Sequence, residues 1–539
     1  MNLINDAWIP ARRKNGEKIK IAPYQTTENF GMDKEVAELA APRPDFNGAL
    51  IQFLIGLLQT TCTPQNTGEW RKWLENPPSP EELKERFESV AFAFNLDGDG
   101  PRFMQESGLE KEKEKSLESI DKLIIDMPGE QTLKYNKDHF VKRGRIKQLC
   151  PCCLTMALIT LQVNAPSGGQ GHLTGLRGGG PMTTLVYGNT VWETIWLNIL
   201  EESRFKELAN IRKNKDEDKF PWLNNSRNSE NRRKTTPQDV HPFHLFWAVP
   251  RRLFIIFEQC QQKTECDLCG EYTRQVVKQY YSKTRGIDYK GAWRHPLSPM
   301  YLKASNKKNN EPDMWLPVHQ HENIGYKHWL GYVLNDDKRI PALVVSDIIS
   351  NKMFTDFRLW AFGYDMDNMK ARCWYEGKIP VVLANEKYRE SFNNYILNTI
   401  KTAEKVASDI AWCIKEGLYD VKIEANKKKD FSFVKGRFWQ ETEPEFYKIL
   451  NDLRNFVVKN SAKIPEEILK HWLRYLVKEA EELFDDVTQS GEFSAVDPGR
   501  VAKAWNKLKW KIDSDETKEI LGLPVAPKLK KTKAQRKGV

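Results

Sequence analysis

The 539-residue chain lacks most of the arrangements that enzymes need. No G-x-x-x-x-G-K-[ST] sequence is present, so a P-loop that cradles nucleotide phosphates is excluded. No H-E-x-x-H is present either, which excludes the helix-borne zinc-protease pattern. The nine histidines are scattered apart from His241/His244 and His319/His321, and no His–Asp pair stands out. Long apolar runs are also missing. The longest, 49–58, is interrupted by Gln52 and Gly56 and is too short to span a bilayer. It reads as a buried helix, and no membrane association is expected. No basic-then-apolar leader opens the chain, so a signal peptide is not expected. Nine cysteines, an odd number, suit a reducing compartment better than a disulfide framework. These absences point to a cytoplasmic binding protein, not an enzyme.

What is present suggests a polyanionic partner and more than one core. Lys and Arg total 83 against 73 Asp and Glu, so the net charge is +10, mildly basic. A chain of this length exceeds a single ordinary core. The predicted fold class is α+β: a large mixed N-terminal domain with a structural zinc site over 1–380, followed by a C-terminal four-helix bundle over 381–515. Helical periodicity runs through Tyr388, Phe392, Ile396, Ile400, Ala403 and Ile410, then over 445–458, 465–484 and 498–510. Pro465 and Pro498 suit first helical turns. Residues 516–539 read as a basic, disordered tail. At the N-terminus, Lys14-Asn15-Gly16 predicts a hairpin turn, and Asp45 is expected to cap the first long helix.

The most informative stretch is 150–184, CPCCLTMALITLQVNAPSGGQGHLTGLRGGGPMTT. Cys150 and Cys153 form a C-x-x-C. A second pair, Cys266 and Cys269, is followed by Gly270, which eases a knuckle turn. Two such pairs predict a closed, four-thiolate structural zinc site, with buried or redox cysteines as the plainer alternative. Cys152 is read as a bystander. Seven glycines then fall within thirteen residues, at 168–171 and 175–180. Glycine that dense predicts two loops with exposed N–H groups, able to approach phosphates or the floor of a groove.

Other segments add basic and polar features. Residues 278–290 mix basic and aromatic side chains and predict a strand–loop–strand with Lys283 or Arg285 at its tip. A solvated hairpin tip is the plainer reading there. Lys303, Lys307 and Lys308 form a further basic loop. Asp367, Asn368, Met369 and Lys370 make a polar turn between aromatic runs. Residues 191–208 read as helical, and 210–239, polar and charged, as a mobile loop.

The opening MNLINDAWIPARRKNGEKIKI, the CPCC…GGGPMTT block, the CDLCG…WRHPLSP block and FGYDMDNMKARCWYE together resemble the CasA family. Members are large subunits of the type I-E CRISPR Cascade. The resemblance covers nearly the whole chain. It implies a non-catalytic subunit that recognises the protospacer-adjacent motif (PAM) of double-stranded DNA through the minor groove and wedges the duplex open to start an R-loop. It implies assembly with a crRNA-containing complex of backbone, small and 5′-handle-capping subunits, and recruitment of a helicase-nuclease. The family's glycine loop matches Ser167-Gly168-Gly169-Gln170-Gly171, where Gln170 replaces a glycine. Its lysine finger matches Lys283-Thr284-Arg285, with Thr284 at the finger position. Its glutamine wedge matches Asp367-Asn368-Met369, with Asn368 in place of glutamine. A zinc-dependent nuclease or RNA-processing enzyme, and an architectural RNA-binding protein, are the competing readings.

Overall fold

Asn15-Gly16 turns the chain between β1 (Ile9–Arg13) and β2 (Lys18–Ile21), with Gly16 at φ +88, a conformation that favours glycine. β3 (Val36–Leu39) pairs with the other edge of β1, so the expected hairpin is part of a three-stranded antiparallel sheet. The computed structural model describes residues 1–127, 144–167, 169, 171–208, 215–224, 227–304, 313–319, 324–350, 356–367, 370–419, 431–459, 463–489 and 497–525. The chain forms two compact units. The first takes in Met1–Glu322, Gly331–Met353 and Phe357–Pro380, and the second Asn323–Leu330, Phe354–Asp356 and Val381–Val539.

The first unit is built around α1 (Pro44–Thr61), whose run 49–58 is buried on every face. Asp45 is not its cap. Arg43 occupies that position, and the Asp45 carboxylate instead takes Arg43 and accepts the Tyr364 hydroxyl at 2.5 Å. Phe53 of α1 is ringed edge-on by Trp8, Phe94, Phe103 and Trp247 at 5.4–6.0 Å. Each such pair adds about 0.5–1.5 kcal/mol beyond burial. α2 (Pro151–Asn164) lies along α1, begins on a first-turn proline, and buries most of its side chains.

Among the described residues this unit holds three more small sheets. β4 (Ser116–Ser119), β7 (Tyr272–Lys283) and β6 (Arg252–Glu265) form one, with β7 central. β5 (Thr183–Tyr187) pairs with β11 (Asp356–Asp367), which neighbours β12 (Lys370–Val382). β8 (Met300–Lys303) lies between β9 (Met314–Pro317) and β10 (Arg339–Ile340).

Two readings of this region need correction. Residues 191–208 hold two short helices, Val191–Trp196 and Glu202–Lys206, instead of one. The polar segment 210–239 is anchored in its described middle part: Phe220 and Trp222 are buried, and Trp222 Nε1 donates to Ala93 O at 2.7 Å, while 231–234 are exposed. Its few aromatic residues do what its composition alone does not suggest.

The second unit packs α3 (Glu386–Leu418), α4 (Ser432–Lys459), α5 (Glu466–Gln489) and α6 (Pro498–Ile512) through Ile396, Ile400, Phe446, Trp472 and Leu508. α4 starts well before the predicted 445 and runs through Pro444. Burial of Val434, Phe438 and Thr442 outweighs the helix-breaking tendency of the proline. Residues 323–330, expected in the N-terminal domain, belong here. Tyr326 is fully buried, stacks on Phe446 at 4.4 Å and shares a 2.7 Å hydrogen bond with Thr442. The tail expectation also needs correction, because α7 (Asp515–Leu521) is a helix that buries Thr517 and Leu521 against α3. Ser514 caps it and Gly522 ends it at φ +84. Residues 526–539 lie outside the described residues.

Candidate metal centre and nucleic-acid interface

The four predicted cysteines meet. Cys150, Cys153, Cys266 and Cys269 place their Sγ atoms within 4.8 Å of one another. The Cys150–Cys269 sulfur pair is 3.7 Å apart. A tetrahedral ion with metal–thiolate bonds of about 2.3 Å needs sulfur–sulfur edges of about 3.8 Å, so the cluster could hold a metal ion. Cys150 stands at the start of α2, and Cys266 and Cys269 close the far end of the β6–β7 hairpin.

The surrounding backbone supports this set. Cys150 N donates to Cys266 Sγ at 3.3 Å and Cys153 N to Cys150 Sγ at 3.4 Å. Asp267 Oδ2 accepts from Lys147 N at 2.6 Å and Gln148 N at 2.9 Å, and Leu149 and Val277 exchange two backbone bonds. Gly270 takes φ +73, the knuckle turn that its position suggested. Without a cation, the neighbouring thiols and burial push the Cys153 thiol up, whereas a bound ion would favour the thiolates. Cys152 lies outside the set, 3.8 Å from Lys20 Nζ.

The glycine loop and the finger segment also meet. Arg285 N donates to Gly171 O at 2.7 Å, and Arg285 O accepts from Ser229 N at 3.1 Å. Arg285 is exposed and sits at φ +62, a left-handed conformation unusual for a side-chain-bearing residue. Gly171 has φ +85, and a Cβ there would lie 2.9 Å from Thr284 Cβ. Gly169, at φ +95, is exposed, and a Cβ added to it would have nothing within 4 Å. The segment is therefore tight against the finger at Gly171 and open at Gly169. Gly168 and Gln170 lie outside the described residues.

The second glycine run behaves differently from its sequence reading. Gly175 N donates to Ala165 O, Gly178 N to Gly175 O and Gly180 N to Asn164 O, so these N–H groups are not exposed for a ligand. Arg177, fully buried, is bolted to Thr183 and Ser298 at 3.0 Å each and to Gln52. Burial lowers Arg177 to about 9, with no carboxylate paired to it among the described residues. A Cβ on Gly180 would lie 2.7 Å from both Met366 Cγ and Tyr364 O. The run is thus a packing element that fits against β11 just before Asp367.

Lys283, one of the predicted contacts, is held by carboxylates of its own chain. It ends β7 with its Nζ 2.7 Å from Glu230 Oε1 and also paired with Glu112, its side chain 13% exposed. The same carboxylates serve Arg252, which holds Glu106 at 2.6 Å. Lys283 is a strut in a charge network and Arg285 is the outward basic residue. The expected second strand does not form within 284–290, where the chain runs irregularly through Thr284 and Arg285 and makes one isolated bridge, Tyr289 with Thr235. Asp367 and Lys370 are exposed at the end of the β11–β12 hairpin, as the turn pattern suggested, while Asn368 and Met369 lie outside the described residues. Lys303 is exposed at the end of β8, and Lys307 and Lys308 lie outside the described residues.

Sequence reasoning missed Ser229, Glu230 and Arg251, which support this junction. Nothing near any of them in the chain marks them, because their partners are distant in sequence.

The family model described as CRISPR-associated protein Cse1 matches residues 2–483. Thermobifida fusca Cse1 is 14% identical with a TM-score of 0.67, covering 97% of this chain and 99% of that one. Thermus thermophilus CasA is 14% identical with a TM-score of 0.66 over 97% and 99%. A chain of a CRISPR RNA-guided surveillance complex is 15% identical with a TM-score of 0.65 over 95% and 99%. At such identities the likeness to these structures is one of fold. The family model, spanning both units, carries the assignment: the chain belongs to the CRISPR-associated protein Cse1 family.

Proposed function

We propose that the chain is the large, non-catalytic subunit of a type I-E Cascade complex, where it recognises a PAM on double-stranded DNA and starts strand opening. Family membership supports the subunit role. The observation that carries the DNA-reading part is the joint between Arg285 N and Gly171 O, which couples a glycine-rich loop to an exposed basic residue. The minor groove is narrow and its donor–acceptor pattern degenerate, so a reader there needs close backbone approach and discriminates loosely. Gly168, Gly169, Gln170, Gly171, Thr284 and Arg285 are the residues assigned to that contact, and Lys303, Lys307 and Lys308 are assigned as further DNA contacts. The segment Asp367-Asn368-Met369-Lys370 is assigned to wedging the first base step, which offsets the few kcal/mol of unstacking. Opening at that step seeds pairing by the guide RNA, after which a helicase-nuclease is recruited.

We assign the metal as zinc, since four thiolates select a tetrahedral, soft-ligand ion over magnesium or calcium. Its part is structural: it would tie the start of α2 to the end of the β6–β7 hairpin, whose other end presents the finger. Four protein ligands leave no open position, which disfavours a zinc-dependent nuclease or RNA-processing activity. The test is binding of the reconstituted complex, with and without this chain, to a duplex library randomised beside the target. A motif preference that appears only with the chain is expected. Equal selection in both cases overturns the reading.

A further inference from the structure

Arg251 carries a positive charge that its surroundings leave uncompensated. Its guanidinium has no carboxylate within ion-pair distance among the described residues, and its buried Nε has no hydrogen-bond partner there. Burial lowers it to about 10, with only Tyr280 acting the other way. Arg252, the next residue, is served by Glu106, Glu112 and Glu230. A cation left in this state is costly to bury.

Its position is equally specific. The Arg251 backbone is held on α2 by Gln162, at 3.1 Å in each direction. Its Nη2 donates to Pro166 O, just before the glycine loop. The loop is therefore held at its start by the Arg251 side chain and at its far end by Arg285 N on Gly171 O. The finger rests on the same place: a Cβ on Gly286 would lie 2.0 Å from Pro250 O and 3.4 Å from Arg251 N, so only glycine lets the two backbones meet. The charge reaches the loop as well, since burial first and Arg251 second push His172 below its ordinary value. Holding one carbonyl needs only a neutral donor. A retained, uncompensated charge beneath a loop that faces open space at Gly169 needs a second reason.

We propose that Arg251 is a further residue of the DNA site, fixing the start of the glycine loop and supplying beneath it the positive charge against which a duplex phosphate settles. This rests on the reading of the chain as a duplex reader. The test measures affinity of the reconstituted complex for a motif-bearing duplex across a salt series, for wild type, Arg251→Gln and Arg251→Lys. Glutamine keeps a donor and loses the charge. Its affinity should fall about tenfold, and the slope of log affinity against log salt should shrink by about one. Lysine should keep the wild-type slope. Arg251→Met is the second neutral variant should glutamine disturb folding, with thermal unfolding of each variant read alongside. A neutral variant that keeps the full slope, even with weakened affinity, overturns the proposal, because Arg251 is then only a brace. If the wild-type complex itself shows no preference for motif-bearing duplexes, the duplex-reading assignment fails instead.

Discussion

Gly171→Ala should damage duplex binding far more than Gly169→Ala, although both glycines lie in the same loop and both have positive φ. A side chain forced into the left-handed region costs about 1–2 kcal/mol. At Gly169 the cost ends there, because a Cβ would have nothing within 4 Å. At Gly171 the new Cβ would lie 2.9 Å from Thr284 Cβ, and Thr284 adjoins the residue whose N–H reaches Gly171 O at 2.7 Å. Relief requires the finger to move, and overpacking of this kind adds about 1–3 kcal/mol. The total is about 2–5 kcal/mol at Gly171 against about 1–2 at Gly169. The difference of about 1–3 kcal/mol corresponds to roughly 5- to 150-fold in affinity. The assay is titration of a motif-bearing duplex with the reconstituted complex. Thr284→Gly removes the colliding carbon. Combined with Gly171→Ala it should restore the collision part and leave the left-handed part, giving a coupling of about 1–3 kcal/mol in a double-mutant cycle. Equal losses for the two alanine variants, or additivity in the cycle, would refute the argument that loop and finger form one rigid joint.

Purified chain should contain one zinc, and Cys153→Ser should release it and lower the melting temperature; metal analysis that finds none while the protein melts normally contradicts the centre. Lys283 and Arg252 hold Glu230 well below its ordinary 4.5, at about 2. Its stabilisation is therefore present above about 4.5 and is lost as pH falls toward 2. Glu230→Gln should flatten that acid limb in melting curves taken across pH, and an unchanged limb argues against the network. Tyr326→Ala should destabilise the helical unit by about 3–5 kcal/mol, read by denaturant unfolding, since it removes a fully buried ring. A loss below about 1 kcal/mol would mean that 323–330 is not integral to that unit.

Much of the site was legible because its signals are local. The two C-x-x-C pairs state ligand type and spacing within four residues each, and the structure had only to bring them together. Glycine density marked a backbone that needs φ values closed to other residues, and Gly169, Gly171, Gly178 and Gly180 have them. Periodicity found the long helices, because an apolar stripe repeats every turn wherever a helix packs. What the tertiary structure alone decided concerns partners that are far away in sequence. Lys283 and Arg285 are equivalent in the sequence. Folding brings Glu112 and Glu230 onto Lys283 and leaves Arg285 outward. Arg251 has no motif and matters through its approach to Pro166 O and the absence of an acid beside it among the described residues. α4 ignores Pro444, and residues 323–330 join the bundle, because burial of Phe438, Thr442 and Tyr326 outweighs local preference. Backbone conformation is biased residue by residue. Charge compensation and burial depend on neighbours in space, which the order of the chain does not state.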